Sequence, residues 1–255
     1  MSAVAWSQLA DDHIARAEKA VRILAPYWSA RTLHVLLHNG PMRQADAKHF
    51  IPEAPQTSLR AALERLTDLQ LLARVSQGNA TYYTLIAAGR AARPALQALA
   101  DWARRHSRAE PATPRLPEER ALQRLSSAIT LPLLKVIAET GPTTYRQAAT
   151  HLRITSTLEA VRFHLRKIAA DGLVENLGGR PARFSLADSA KSLPPVVEAL
   201  AAFAPHVPQN PRIDMRLASH RPAAQPPQRP AYRPGDLFSH AALAPAFPGS
   251  AQRRR

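Results

Sequence analysis

The chain has 255 residues, 45% of them apolar, enough for one large buried core or two small ones. Thirty-four Lys and Arg against nineteen Asp and Glu leave a net charge of +15, which favours a polyanionic partner: nucleic acid ahead of an anionic membrane surface or an acidic macromolecular substrate. The absence of Cys excludes disulfides, thiolate zinc sites, iron–sulfur clusters and a Cys nucleophile. Asp11, Asp12 and His13 stand where an export signal needs an apolar core, and no run of about eighteen apolar residues occurs. The expected location is therefore the cytoplasm, at the nucleoid, with no membrane partner.

In chain order, Leu33, Leu36 and Leu37 form one helical face that stops at Asn39-Gly40-Pro41, a turn signal followed by a helix breaker. A short helix is expected from Met42 to about Phe50. Ala54-Pro55 then opens another, with Pro at its first position, where the missing N–H costs nothing. Leu59, Leu63 and Leu66 make the buried stripe of that helix and leave Thr57, Ser58, Arg60, Ala61, Glu64 and Arg65 on or beside its exposed side. Strands are expected at Leu72–Val75 and Tyr82–Leu85, joined through Gly78 as a hairpin. A closing helix follows over Gly89–His106.

The same order then returns at an offset near 101 residues. TLHVLLHNGP (Thr32–Pro41) lies over LLKVIAETGP (Leu133–Pro142), LERLTDLQLL (Leu63–Leu72) over LRKIAADGLV (Leu165–Val174), and YYTL (Tyr82–Leu85) over RFSL (Arg183–Leu186). In the second segment Ser156 and Glu159 form a capping box ahead of the stripe Val161, Leu165 and Ile168. Val174–Leu177 and Arg183–Leu186 flank Gly178-Gly179 as a second hairpin, and a closing helix spans about Ser189–Ala204 or begins at Pro194-Pro195. Three helices and a hairpin make a winged helix. The expected fold class is thus mainly α with small β-hairpins, a winged helix-turn-helix in two tandem copies. The expected division is domain 1 over 1–106, a linker over 107–117, domain 2 over 118–204, and a Pro- and Arg-rich disordered tail over 205–255. That tail holds ten Pro and carries +6, against +5 and +4 for residues 1–106 and 107–204.

From Val21 to Trp102 the first copy resembles the HxlR-type winged helix-turn-helix family of bacterial transcription regulators. The resemblance rests on Trp28 before the first core helix, the Gly40-Pro41 turn, the LxxLxxLxLLxR run from Leu63 to Arg74, and YTLIAAGRAARPALQALADW from Tyr83 to Trp102. The second copy looks like a diverged relative. It keeps Gly141-Pro142 and Asp171-Gly172-Leu173-Val174, but has Phe203 for the Trp and Ala187-Asp188-Ser189 where the Gly is expected. The resemblance implies binding of double-stranded DNA by a recognition helix and wing, usually as a dimer. The sensing through a conserved Cys seen in some relatives is not available to a chain without Cys.

A recognition helix touches bases with its first turns and phosphates with its flanks. In the first copy this assigns Gln56, Thr57, Ser58 and Ala61 to bases, with Arg60 and Arg65 as phosphate or base donors, and Gln77 and Asn79 to the wing. In the second, Thr157, Glu159, Ala160 and Phe163 occupy the comparable face, with Arg162, Arg166 and Lys167 beside it and Arg180 at the wing tip. Each of these cations has the alternative role of solvating a helix face. Glu64 and Glu159 count against phosphate contact, although Glu accepts a hydrogen bond from cytosine.

His34 and His38 share a helical face, but Val35 replaces the Glu of a hydrolytic HExxH and no third ligand is evident, so no metal and no cofactor are expected. Trp28, Tyr82, Tyr83 and Trp102 are core aromatics or, alternatively, line an effector pocket or stack bases. GxSxG, P-loop and GxGxxG motifs are missing, and no enzymatic activity is expected. The function expected is a sequence-specific DNA-binding transcription regulator with two winged helices per chain and possible self-association through the closing helices. The alternative is a protein–protein adaptor built on winged helices.

Overall fold

Apolar residues at every third or fourth position make most of this chain helical, and short β-branched or aromatic runs bounded by Gly make the hairpins. The computed structural model describes residues 5–106, 115–152 and 158–208. Its contacts divide the chain into Met1–Asp214 and Met215–Arg255, of which the second lies outside the described residues. So do 107–114 of the expected linker and 209–255 of the expected tail.

After a 3-10 turn at Trp6–Gln8 come α1 (Asp11–Leu24), α2 (Ser29–Asn39), α3 (Gln44–Phe50) and α4 (Gln56–Asp68), then the hairpin β1 (Leu72–Gln77) and β2 (Ala80–Leu85), then α5 (Ala87–Arg90) and α6 (Arg93–His106). The remainder follows the same order: α7 (Pro117–Leu125), α8 (Thr130–Thr140), a short β3 (Thr143–Thr144), α9 (Tyr145–Leu152), α10 (Leu158–Ala170), β4 (Val174–Gly178), β5 (Arg183–Leu186), α11 (Asp188–Lys191) and α12 (Pro194–Phe203). α2 and α8 both end on a glycine in the left-handed region, Gly40 at φ 77° and Gly141 at φ 73°. A side chain is strained there, which is why the Gly-Pro pairs read so plainly in the sequence.

The helical stripes are buried: Leu59, Leu63 and Leu66 in α4, and Val161, Leu165 and Ile168 in α10. Pro55 stands one place earlier than expected, as the N-cap of α4 rather than its first residue. Both hairpins run further than expected. β1 and β2 pair from Leu72–Leu85 out to Gln77–Ala80, leaving a turn at Gly78-Asn79, and β4 pairs with β5 across an irregularity between Asn176 and Gly178. Each hairpin also receives a third contact that periodicity did not show. Met42 bridges Tyr83, and β3 pairs with β5. The closing segments break in two, α5 from α6 and α11 from α12. Gly89 lies within α5, packed so closely on the hairpin that a Cβ there would lie 2.2 Å from the Leu71 carbonyl oxygen.

The two halves share one hydrophobic cluster. α1 packs against α12 and α6 against α7, so each half's first helix meets the other half's last, and α6 also meets α12. Two buried indoles reach the same short helix: Trp102 Nε1 donates to the Ser189 carbonyl at 2.8 Å and Trp6 Nε1 to the Ala190 carbonyl at 2.9 Å. The apolar faces of α6 and α12 are thus covered within the chain, leaving Arg93, Gln97, Arg104, Arg105 and Glu198 exposed. The tail boundary moves as well. A 3-10 turn at Ala204–His206 carries Val207 into the core, two residues past the expected start of the tail at 205.

Candidate nucleic-acid interface

α3 and α4 meet through a turn over 51–55 whose inner residues, Ile51 and Ala54, are fully buried. Lys48 Nζ closes this turn by donating to the Pro52 carbonyl at 2.7 Å and the Ala54 carbonyl at 2.6 Å. Asp46 holds the start of α3: it accepts from the Arg43 backbone N–H at 3.0 Å and its guanidinium at 3.1 and 3.2 Å, bonds that keep its carboxyl below the usual range. α4 is therefore presented on a fixed corner.

On α4, Gln56, Thr57, Arg60 and Ala61 are exposed and Ser58 is half-buried, all on the side away from the Leu59–Leu63–Leu66 stripe. Arg60 Nε donates to Glu64 Oε1 at 2.8 Å, which raises the guanidinium pKa and leaves the cation with a competing carboxylate. Arg65 departs from its expected position on the exposed face. Its guanidinium turns inward, donating to Ser29 Oγ at 2.5 Å and to the Ile23 carbonyl, one of the last-turn carbonyls of α1 that lack an intrahelical partner. Burial pushes it down to about 10, still charged at neutral pH. Arg65 is a strut between α4, α1 and α2, not a group on the candidate interface.

The first wing exposes Gln77, Gly78 and Asn79 at its tip. Arg74, which the sequence reading did not assign to the interface, is exposed on β1 with its guanidinium 5.6 Å from the Tyr83 ring centroid. The signal available was its place in a strand that is buried only at its base.

In the second half, Thr157 and the Ser156 cap lie outside the described residues. Glu159, Arg162, Phe163 and Arg166 are exposed on α10, Ala160 is half-buried, and Arg180 is exposed beyond β4. Glu159 and Arg162 stand 3.6 Å apart, and half-buried Lys167 pairs with Asp171 at 3.1 Å. Arg166 and Arg180 form no ion pair among the described residues. Phe163 is the most prominent group on α10, 65% exposed, and Leu158 in the first turn is exposed as well. The two faces therefore differ in chemistry. α4 shows amide, hydroxyl and a paired Arg, while α10 shows an aromatic ring among Arg residues.

The remaining sequence candidates fall elsewhere. His34 Nδ1 lies 2.8 Å from Glu118 Oε1 of α7, His38 Nδ1 lies 2.8 Å from the His34 carbonyl oxygen, and their rings stack at 4.3 Å. No group of three or more metal-ligating side chains occurs among the described residues. Among those residues, too, no single helix is long and apolar enough to cross a membrane. Tyr83 and Trp102 are core residues, and Trp28 lines a cavity near α7.

Residues 23–111 match the HxlR-like helix-turn-helix family, a stretch that runs from the end of α1 through the helix pair, the first hairpin and α6. The match covers about a third of the chain and is confined to the first half. No curated protein matches the chain.

Proposed function

We propose that the protein is a sequence-specific DNA-binding transcription regulator that presents two unlike winged helices from one chain. One observation carries this reading: the order helix, short helix, exposed helix, hairpin, closing helix occurs twice, and the halves are joined by reciprocal packing of α1 on α12 and α7 on α6. That arrangement is what a two-fold pair of winged helices would need, with the pairing internal to the chain. The family match over residues 23–111 supports the first half's part in it. Because α4 and α10 expose different residues, the site read by a single chain is two unlike half-sites rather than a palindrome. Gln56, Thr57, Ser58, Arg60 and Ala61 read or anchor one, and Glu159, Ala160, Arg162, Phe163 and Arg166 the other, with Phe163 suited to a thymine methyl.

Nuclease footprinting on a selected site tests this reading. A monomer protecting two adjacent segments, each lost on substituting one exposed helix face, is the expected result. Unchanged protection after either face is replaced refutes it.

A second reading, a protein–protein adaptor, is favoured by the exposed Phe163, Leu158 and Leu177 of the second half. A regulator binding duplex DNA loses affinity linearly in log–log salt titration, whereas an adaptor shows no slope on non-specific duplex.

A further inference from the structure

A cavity of about 370 Å³ opens where the α1–α2 corner, the turn before α4 and α7 converge, within the size range of small-molecule sites. Its wall is built around Tyr27 and Trp28. Trp28 has φ 69°, a left-handed conformation that a bulky side chain rarely adopts and that costs free energy to hold. That turn sends Trp28 inward, 7% exposed, and leaves Tyr27 at the mouth, 65% exposed, with the rings edge to face at 4.6 Å. Both rings already carry cations. The Arg31 guanidinium is 5.3 Å from the Trp28 centroid and that of Arg115 is 5.7 Å from the Tyr27 centroid.

The charges beside these rings are unequal. Buried Arg31 is gripped by two carboxylates, Glu53 and Glu119, the latter at 2.5 Å, so the inner wall holds two negative groups against one positive. Arg115, at the mouth, donates to the neutral amide of Gln123 and makes no ion pair among the described residues. The two carboxylates are held in place by Arg31, while the outer guanidinium rests on the Tyr27 ring and has no carboxylate partner among the described residues. From this geometry we infer that the cavity is a binding site for a small planar aromatic cation of the aryl amidinium class. The ligand replaces Arg115 over Tyr27 and shares Glu53 with Arg31. An anionic ligand of the same shape meets Glu53 and Glu119 and is rejected.

The site has a route to the proposed DNA-reading face. Glu53 lies in the turn closed by Lys48, three residues before α4 begins, so drawing its carboxylate toward a ligand shifts the start of that helix. This coupling rests on the DNA-binding reading above; the binding itself does not.

Isothermal titration calorimetry of the full chain without DNA tests the site, with benzamidine as probe and benzoate and neutral benzamide as controls. Saturable binding of benzamidine alone, weakened about tenfold or more in both Glu53→Gln and Tyr27→Ala, is expected. Tyr27 is at the surface, so its variant keeps the test sound if the loss of Glu53 beside Arg31 disturbs folding. Equal binding of benzoate or benzamide, no saturable benzamidine binding, or unchanged affinity in Tyr27→Ala overturns the inference. Fluorescence anisotropy with duplex DNA at fixed ionic strength then reads the coupling: a shift in DNA affinity with benzamidine supports it, and an unchanged affinity with benzamidine bound overturns it. The calorimetric result stands whether or not the protein binds DNA.

Discussion

Glu18 lies on α1 with its side chain 15% exposed and one carboxylate oxygen buried without a hydrogen-bond partner among the described residues. Burial pushes its carboxyl from 4.5 up to about 7, opposed only in part by Arg22 at 3.6 Å. The native state therefore keeps a proton that the unfolded chain releases from about pH 4.5 upward. Below that pH both states are protonated and nothing is lost. Between 4.5 and 7 the native state binds more protons than the unfolded one, so stability falls as pH rises, by ~3 kcal/mol in all, and is level above 7. Glu18→Gln removes this dependence: it leaves stability nearly unchanged at pH 4.5 and raises it by about 1–3 kcal/mol at pH 8, a midpoint gain on the order of 5 °C in thermal unfolding. Thermal and urea unfolding of both proteins at intervals from pH 5 to 8 measures the difference. A Gln variant whose advantage does not grow with pH, or that is less stable at pH 8, refutes the assignment of a buried neutral carboxyl.

Gly89→Ala sets a Cβ 2.2 Å from the Leu71 carbonyl oxygen and 2.8 Å from Leu85 Cδ2; a loss of about 2–3 kcal/mol is expected in urea unfolding, with faster amide exchange at Ile86, whose N–H bonds that carbonyl. Arg65→Met removes the tie from α4 to Ile23 and Ser29 and costs about 1–3 kcal/mol of stability, while the salt slope of DNA binding stays as in the parent protein. Arg60→Ala weakens DNA binding, and Glu64→Ala, which frees Arg60, strengthens it; anisotropy titrations with both variants moving the same way contradict the role given to this pair. Trp102→Phe replaces the buried indole by a smaller ring and loses both the bond to the Ser189 carbonyl and packed volume, for a cost of about 1–3 kcal/mol measured by the shift in urea midpoint.

The features readable from the sequence are those whose cause is local. The stripes Leu59–Leu63–Leu66 and Val161–Leu165–Ile168 follow from helical period, the ends of α2 and α8 from glycines that tolerate a positive φ, and the first hairpin from a Gly between two β-prone runs. The exposed side of α4 was legible for the same reason, because what is not on the stripe faces away from it. Arg65 was not. Its Cα lies beside the stripe, and only the nearby C-terminal carbonyls of α1, brought there by folding, decide that its long side chain turns in rather than out.

By itself, then, the sequence determined the helices, the hairpins, their repeated order and the excess of positive charge, since each depends on residues a few positions apart or on simple counting. The tertiary structure alone decided what the amphipathic faces cover. A stripe on α6 or α12 states that the face is buried but not against which partner, and it is the exchange of end helices, α1 with α12 and α6 with α7, that turns two successive segments into one core. The cavity beside Trp28 belongs to the same category. Its walls come from residues as far apart in the chain as Tyr27, Glu53 and Glu119, and the unequal charges that define its chemistry meet only once those segments are packed together.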